Sequence, residues 1–265
     1  MKLNIVPART GIHWVKLGIQ TFFKQPLALA GLFFMYMAAV LVLGAIPIVG
    51  PVAVVVLMPA ATLGMMVATE HAVQGRFPMP SVLLSAFRAG KQRGRAMLVL
   101  GFVYAVVIIG ITLMAHLFFP GGAGIEATPG TAGAAPQVQV KPGFLFAMAL
   151  QLPLIVLFSH APALVHWHGV TPVKSLFFSA IAFWRNLGAF ITFGAAWLFF
   201  LSLVGLAISI LFAIFGAVPA PFVWPIALLV ITMMATSMYF TFRDSFVETP
   251  TDTEQPAAAG GESPP

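Results

Sequence analysis

Six ionisable side chains lie within or at the ends of long apolar runs: Glu70, His71, His116, His160, His166 and His168. Burying such groups in hydrocarbon is costly, so each is a candidate for proton transfer, metal binding or a polar pathway. Glu70 and His71 are adjacent and point about 100° apart on a helix, so they need not meet. His166 and His168 flank Trp167 at an i, i+2 spacing that does not share a helical face, so the H-x-x-x-H arrangement of a helical metal pair is missing. A metal site here would need His160, His71 or Glu70 brought in from elsewhere. His and Trp at a span end also read as ordinary interfacial belt residues.

Ser159 and His160 form the sharpest candidate, a polar intramembrane site in Ser159-His160-Ala161-Pro162. Pro162 lacks an N–H and frees carbonyls near residue 158, which Ser159 or His160 could satisfy. The structural reading is a histidine satisfied within the bundle; the functional one is the lining of a polar cavity. His116 reads as interfacial. Pro59, Pro153, Pro162 and Pro225 sit in or beside spans, as in transporters with broken helices. The midplane polar inventory is limited to Gln151, Ser202, Ser209, Thr232 and Ser237, with no acid, and simple kinks account for these prolines.

Outside the tail and the end of the last span, the only acids are Glu70 and Glu126, so paired-carboxylate catalysis finds no support. No P-loop, G-x-S-x-G elbow, H-E-x-x-H motif or EF-hand loop occurs. With no cysteine, disulfides, thiolate catalysis and cysteine-ligated metals are excluded. The expectation is a non-enzymatic protein with no catalytic residues, no metal site and no cofactor.

The elements that position these residues are set by composition. Of 265 residues, 60% are hydrophobic and 8% charged, where a soluble domain carries about 25% charge. Such a chain can be covered by lipid but not by water. The spacing predicts an all-α polytopic membrane protein with six spans near 27–46, 52–69, 96–118, 144–165, 189–215 and 222–242. Short Pro/Gly links at Pro47–Pro51 and Gly216–Pro221 imply tight hairpins. Residues 120–143 read as a flexible outward loop, and 1–244 as one membrane domain followed by a disordered tail at 245–265. Residues 1–9 lack the apolar core of a cleavable signal, so the run from Pro26 would act as an uncleaved anchor.

Each outward-going span is preceded by an amphipathic stretch, so the plan reads as three hairpins, each with its own interfacial helix. In the first, Ile12, Val15, Ile19, Phe22 and Phe23 oppose His13, Lys16, Gln20 and Lys24. In the second, Val82, Leu83, Ala86 and Phe87 oppose Ser81, Ser85, Arg88, Gln92 and Arg95. In the third, Val173, Leu176, Phe177, Ala180, Ile181 and Trp184 oppose Ser175, Ser179 and Asn186. Their apolar faces are expected to point into the membrane.

Twelve of the 13 Lys and Arg residues fall on one side of this topology and only Lys141 on the other. The positive-inside rule then puts both termini in the cytoplasm. Arg88, Lys91, Arg93 and Arg95 make the densest basic group and are candidate lipid-headgroup contacts. The expected partners are membrane lipids, anionic ones included. The net charge of +6 is explained by this membrane-flanking pattern, not by nucleic acid binding.

Several stretches carry a family resemblance: residues 4–16, NIVPARTGIHWVK; 22–34, FFKQPLALAGLFF; 75–88, GRFPMPSVLLSAFR; 161–169, APALVHWHG; and 242–246, FRDSF. Together they resemble an uncharacterised family of six-span inner-membrane proteins of beta-proteobacteria, over roughly residues 4–246. The resemblance implies a bacterial inner-membrane address and no assigned chemistry. More loosely, the amphipathic-helix-then-span plan is similar to the membrane region attached to some glycerophosphodiester phosphodiesterases; their catalytic domain has no counterpart here. Lipid interaction or scaffolding is the leading functional expectation, and a small-solute transporter or permease the alternative.

Overall fold

The computed structural model describes residues 2–122, 124–128 and 137–247. The chain begins in β1 (Lys2–Leu3) and α1 (Thr10–Lys24), then crosses the membrane in α2 (Pro26–Gly44) and α3 (Val49–Val73). A 3₁₀ turn (Pro80–Leu84) and a single turn, α4 (Ser85–Arg88), lead into α5 (Lys91–Phe118). Beyond β2 (Ile125–Thr128) and β3 (Gln137–Val140), α6 (Pro142–Phe158) and α7 (Ala161–His168) together make the fourth span. Then come α8 (Pro172–Arg185), α9 (Leu187–Phe215), α10 (Ala220–Ser245) and β4 (Phe246–Val247). Six helical segments are long and apolar enough to span a bilayer, matching the six expected.

Each break has a local cause. Pro26 disfavours helical geometry at Gln25, whose φ of −142° and ψ of 60° separate α1 from α2. Gly90, at φ 103°, ends the α4 turn in a conformation that a side chain would oppose. At the tip between α2 and α3, Ile48 adopts φ 64° and ψ −57°, and Val49 N–H reaches the Pro47 carbonyl at 2.7 Å. This is the strained γ-turn form.

Both termini meet on one side, called the terminal side below. β1 pairs antiparallel with β4, Lys2 opposite Val247 and Leu3 opposite Phe246. The core is concentrated on that side: α1, the first half of α2, the second half of α3, residues 161–165 of α7 and the last turns of α10. On the far side, no residue from 198 to 229 is buried.

Four expectations need correction. The first amphipathic helix does more than lie on a surface. Helix α1 wedges between α9 and α10, burying Gly11, Trp14, Val15, Gly18, Thr21 and Phe22. A Cβ on Gly11 would overlap the Ala189 carbonyl, and one on Gly18 would sit 2.5 Å from Ser237 Cβ. The third hairpin is consequently prised open, because α1 occupies the space its two helices would share.

The second stretch is shorter than its periodicity suggests. Residues Lys91–Arg95 belong to the first turns of the spanning helix α5, because Gly90 breaks the chain ahead of them.

The third helix turns its polar face inward. Ser175, Ser179, Ala182 and Asn186 are buried, while Val173, Phe177 and Trp184 face outward. In lipid the apolar face loses nothing by exposure, and small hydroxyl residues permit close packing with hydrogen bonds.

Finally, the segment expected as a loop over 120–143 carries two strands among its described residues. β2 and β3 form an antiparallel ladder, Ile125 opposite Val140, and Lys141 Nζ reaches Glu126 at 2.5 Å. Residues 123 and 129–136 lie outside the described residues, as does the tail from 248 to 265. Among the described residues, β4 (Phe246–Val247) lies past the expected tail boundary at 245.

Candidate functional site

The break in the fourth span is built around Ser159 and His160, as the proline implied, but the repair comes from another helix. In a continuous helix His160 N–H would donate to the Val156 carbonyl. Instead it donates to Ser179 Oγ of α8 at 3.2 Å, and the Ser179 hydroxyl donates to Val156 O at 2.8 Å. One hydroxyl thus bridges the donor and acceptor that the kink separates, as an inserted water does in other bent helices. Ser159 Oγ donates to the same carbonyl at 3.0 Å. The acceptor that needed rescue is therefore Val156, two residues before the expected position.

The His160 ring is fully buried among Phe190, Phe242 and Phe246, with ring centroids 5.7, 6.1 and 5.8 Å away. Its Nε2 lies 3.1 Å from Thr241 Oγ1, and Thr241 directs its own proton to Met238 O at 2.8 Å. Both contacts are satisfied together when the histidine is the donor, an assignment that puts the proton on Nε2. Nδ1 faces Ser159 Oγ at 3.5 Å, too long for a strong bond, and that hydroxyl is already committed to Val156. The pair is not arranged as an activated nucleophile. It fastens α7 to α10, and α8 to α6.

Arg88 ends α4, Lys91, Arg93 and Arg95 stand in the first turns of α5, and all four are exposed. Gly94 is buried beneath Phe87, which holds the turn against α5 and the basic side chains outward. The Arg93 guanidinium lies over Gly169, the left-handed cap of α7, with Nε 3.8 Å from where a Cβ would be. None of the four has a carboxylate partner among the described residues, where the ion pairs are Lys141–Glu126 and Arg243–Asp244. Three of them occupy the first turns of α5, the end where the helix dipole is positive and cations are disfavoured. Basic side chains and free N–H groups at one helix start form a surface suited to anions.

The remaining ionisable groups separate. His116 Nδ1 bonds to the Thr112 carbonyl at 2.8 Å on the far side. His166 packs edge-on to Trp167. Glu70 and His168 share the rim of one cavity. Among the described residues no three histidines or acids come together.

A described relative decides the family. A probable inner membrane protein of Burkholderia thailandensis is 32% identical over 263 residues, covering 93% of this chain and 94% of the relative. This chain belongs to that family of inner membrane proteins. No family model and no solved structure matches it. It is thus a multi-pass inner-membrane protein.

Sequence reasoning missed the residues that tie this inner-membrane bundle shut. Asn186, between α8 and α9, accepts from Val6 N–H at 2.9 Å and donates to the Asn4 carbonyl at 3.0 Å. Asn4 donates to the Asp244 carbonyl at 2.9 Å. Asp244 takes Trp14 Nε1–H and Arg243 Nε–H on its two oxygens, each at 2.9 Å. The Arg243 guanidinium covers the Phe240 ring at 4.9 Å. The available signal was an Asp and an Asn beside apolar spans, where unpaired polar groups are rarely tolerated.

Proposed function

We propose that this protein is a non-enzymatic, lipid-interacting component of the inner membrane, with both termini in the cytoplasm and anionic headgroups held along Arg88, Lys91, Arg93 and Arg95. One observation carries the reading: four exposed cations without carboxylate partners among the described residues, grouped at the start of a spanning helix. An anionic lipid phosphate offsets both the mutual repulsion and the unfavourable dipole. The orientation draws on the twelve-to-one bias of Lys and Arg toward the terminal side.

Native mass spectrometry of the full chain, extracted gently from a membrane containing phosphatidylglycerol, tests the proposal. The wild type should retain phosphatidylglycerol in preference to neutral lipid. The fourfold Arg/Lys→Gln variant should lose that preference, at about 1 kcal/mol per charge near the surface. Equal retention by both proteins would sink the reading. A solute carrier working through Ser159 and His160 gains little from the structure, since that ring is fully buried among Phe190, Phe242 and Phe246.

A further inference from the structure

A second polar feature stands apart from the basic edge. On the terminal side, a cavity of about 270 Å³ opens between the ends of α3, α7 and α10. Glu70 and Arg243 both line it and do not form an ion pair with each other. Its other walls include Trp167, Tyr239 and Phe242, with Trp167 stacked on Phe242 at 5.2 Å and 22°.

The two charges differ in how far they are satisfied. Arg243 is held by one nitrogen, Nε, on Asp244, and its terminal nitrogens form no other ion pair among the described residues. The Glu70 carboxylate makes no hydrogen bond or ion pair among the described residues, although Glu70 is half-buried and lies in the last turn of α3. A carboxylate at a helix C-terminus faces the negative end of the dipole and is favoured only if a cation joins it. An acid and a base that face one cavity without touching leave room for a molecule bearing both opposite charges. Aromatic walls favour the cationic end of such a molecule, because ring faces attract ammonium groups.

The geometry points to a binding site for a small zwitterion of the phosphoethanolamine type, with its ammonium on Glu70 and its phosphate on the free edge of Arg243. Tyr239 and Trp167 supply aromatic wall to the same cavity. The cavity lies at the ends of three helices, where either a lipid headgroup or a soluble molecule can enter. This site shares no residue with the basic edge, so the two proposals stand or fall separately.

The test uses the full chain in nanodiscs of phosphatidylcholine and phosphatidylglycerol, with thermal unfolding as the readout. Phosphatidylethanolamine is added to the bilayer in one arm and soluble phosphoethanolamine in the other. Wild type should be stabilised in at least one arm, and which arm responds identifies a lipid or a soluble ligand. Glu70→Gln, which keeps shape and removes charge, should weaken the apparent affinity about tenfold, the loss of one charge-assisted hydrogen bond. Arg243→Gln removes the phosphate contact but also loosens Asp244, so ethanolamine without phosphate serves as the second measure. It should bind about tenfold more weakly than phosphoethanolamine in the wild type. No stabilisation in either arm, an unchanged response in Glu70→Gln, or equal binding of ethanolamine and phosphoethanolamine would overturn the assignment. The fourfold basic-edge variant should respond as wild type does, and loss of its response would overturn the independence of this site.

Discussion

Helices α9 and α10 pass through two different environments along their own lengths. Toward the terminal side α9 buries Ala189, Phe190 and Trp197, and Trp197 Nε1–H donates to Ser237 Oγ of α10 at 3.2 Å. Toward the far side, the residues from 198 to 229 are nowhere buried. Hydropathy does not separate the halves, since both are apolar. What separates them is small and hydroxylated side chains with partners on other helices. Gly11 and Gly18 let α1 approach α9 and α10, and Ser179 and Thr241 bond across helices. On the far side Ser202 and Ser209 hydroxyls turn back to their own helix, on Leu198 O and Gly205 O at 2.8 Å each. Lipid tails are as apolar as leucine, so only close packing and interhelical hydrogen bonds hold helices together in a bilayer.

The largest test of this contrast sets Gly11→Leu against Gly205→Leu. A side chain at Gly11 meets the α9 backbone, whereas Gly205 has nothing within 4 Å of a Cβ. Gly11→Leu should cost upwards of about 3 kcal/mol or abolish folding, and Gly205→Leu should stay within about 0.5 kcal/mol of wild type. Thermal unfolding in detergent reads both, and equal losses would erase the distinction between the halves.

Ser179→Ala should destabilise by about 1–3 kcal/mol, because buried His160 N–H loses its acceptor. Ser209→Ala, its far-side counterpart, should be nearly silent. If the two are alike, the inserted hydroxyl does not hold the kink.

Asn186→Ala should release residues 4–6 without unfolding the spans. Faster amide hydrogen exchange at Val6, with that of α5 unchanged, is the expected signature, since Val6 N–H donates to Asn186. Unchanged protection at Val6 would remove Asn186 from the clasp.

The smallest effect belongs to the far-side ladder. Lys141→Gln breaks the pair with Glu126, whose side chain is 62% exposed, and should shift stability by no more than about 1 kcal/mol. A larger loss would mean that the far side is held by more than its turns.

Much of the architecture was readable because the relevant signals are local. A run of about 20 apolar residues announces a span whatever surrounds it. Pro162 announces the kink, and the Lys/Arg count announces a preferred side. The site was only half readable. Ser159 and His160 could be picked out by type, but Ser179 and Thr241 were not tied to them, since they stand 19 and 81 residues from His160. The polar stripe of α8 was visible, but its burial was not, because periodicity separates two faces without saying which one meets protein in a lipid solvent.

By itself, then, the sequence determined the solvent this protein lives in, the number of its crossings and the clustering of its basic residues. Each of these follows from composition over short windows. The tertiary structure alone decided that α1 stands between α9 and α10, that a serine of α8 repairs the fourth span, and that Glu70 and Arg243 face one cavity. Those depend on contacts between residues tens to hundreds of positions apart. In a bilayer no bulk hydrophobic force selects among apolar faces, so the choice falls to shape and hydrogen bonding, which appear only once the helices are assembled.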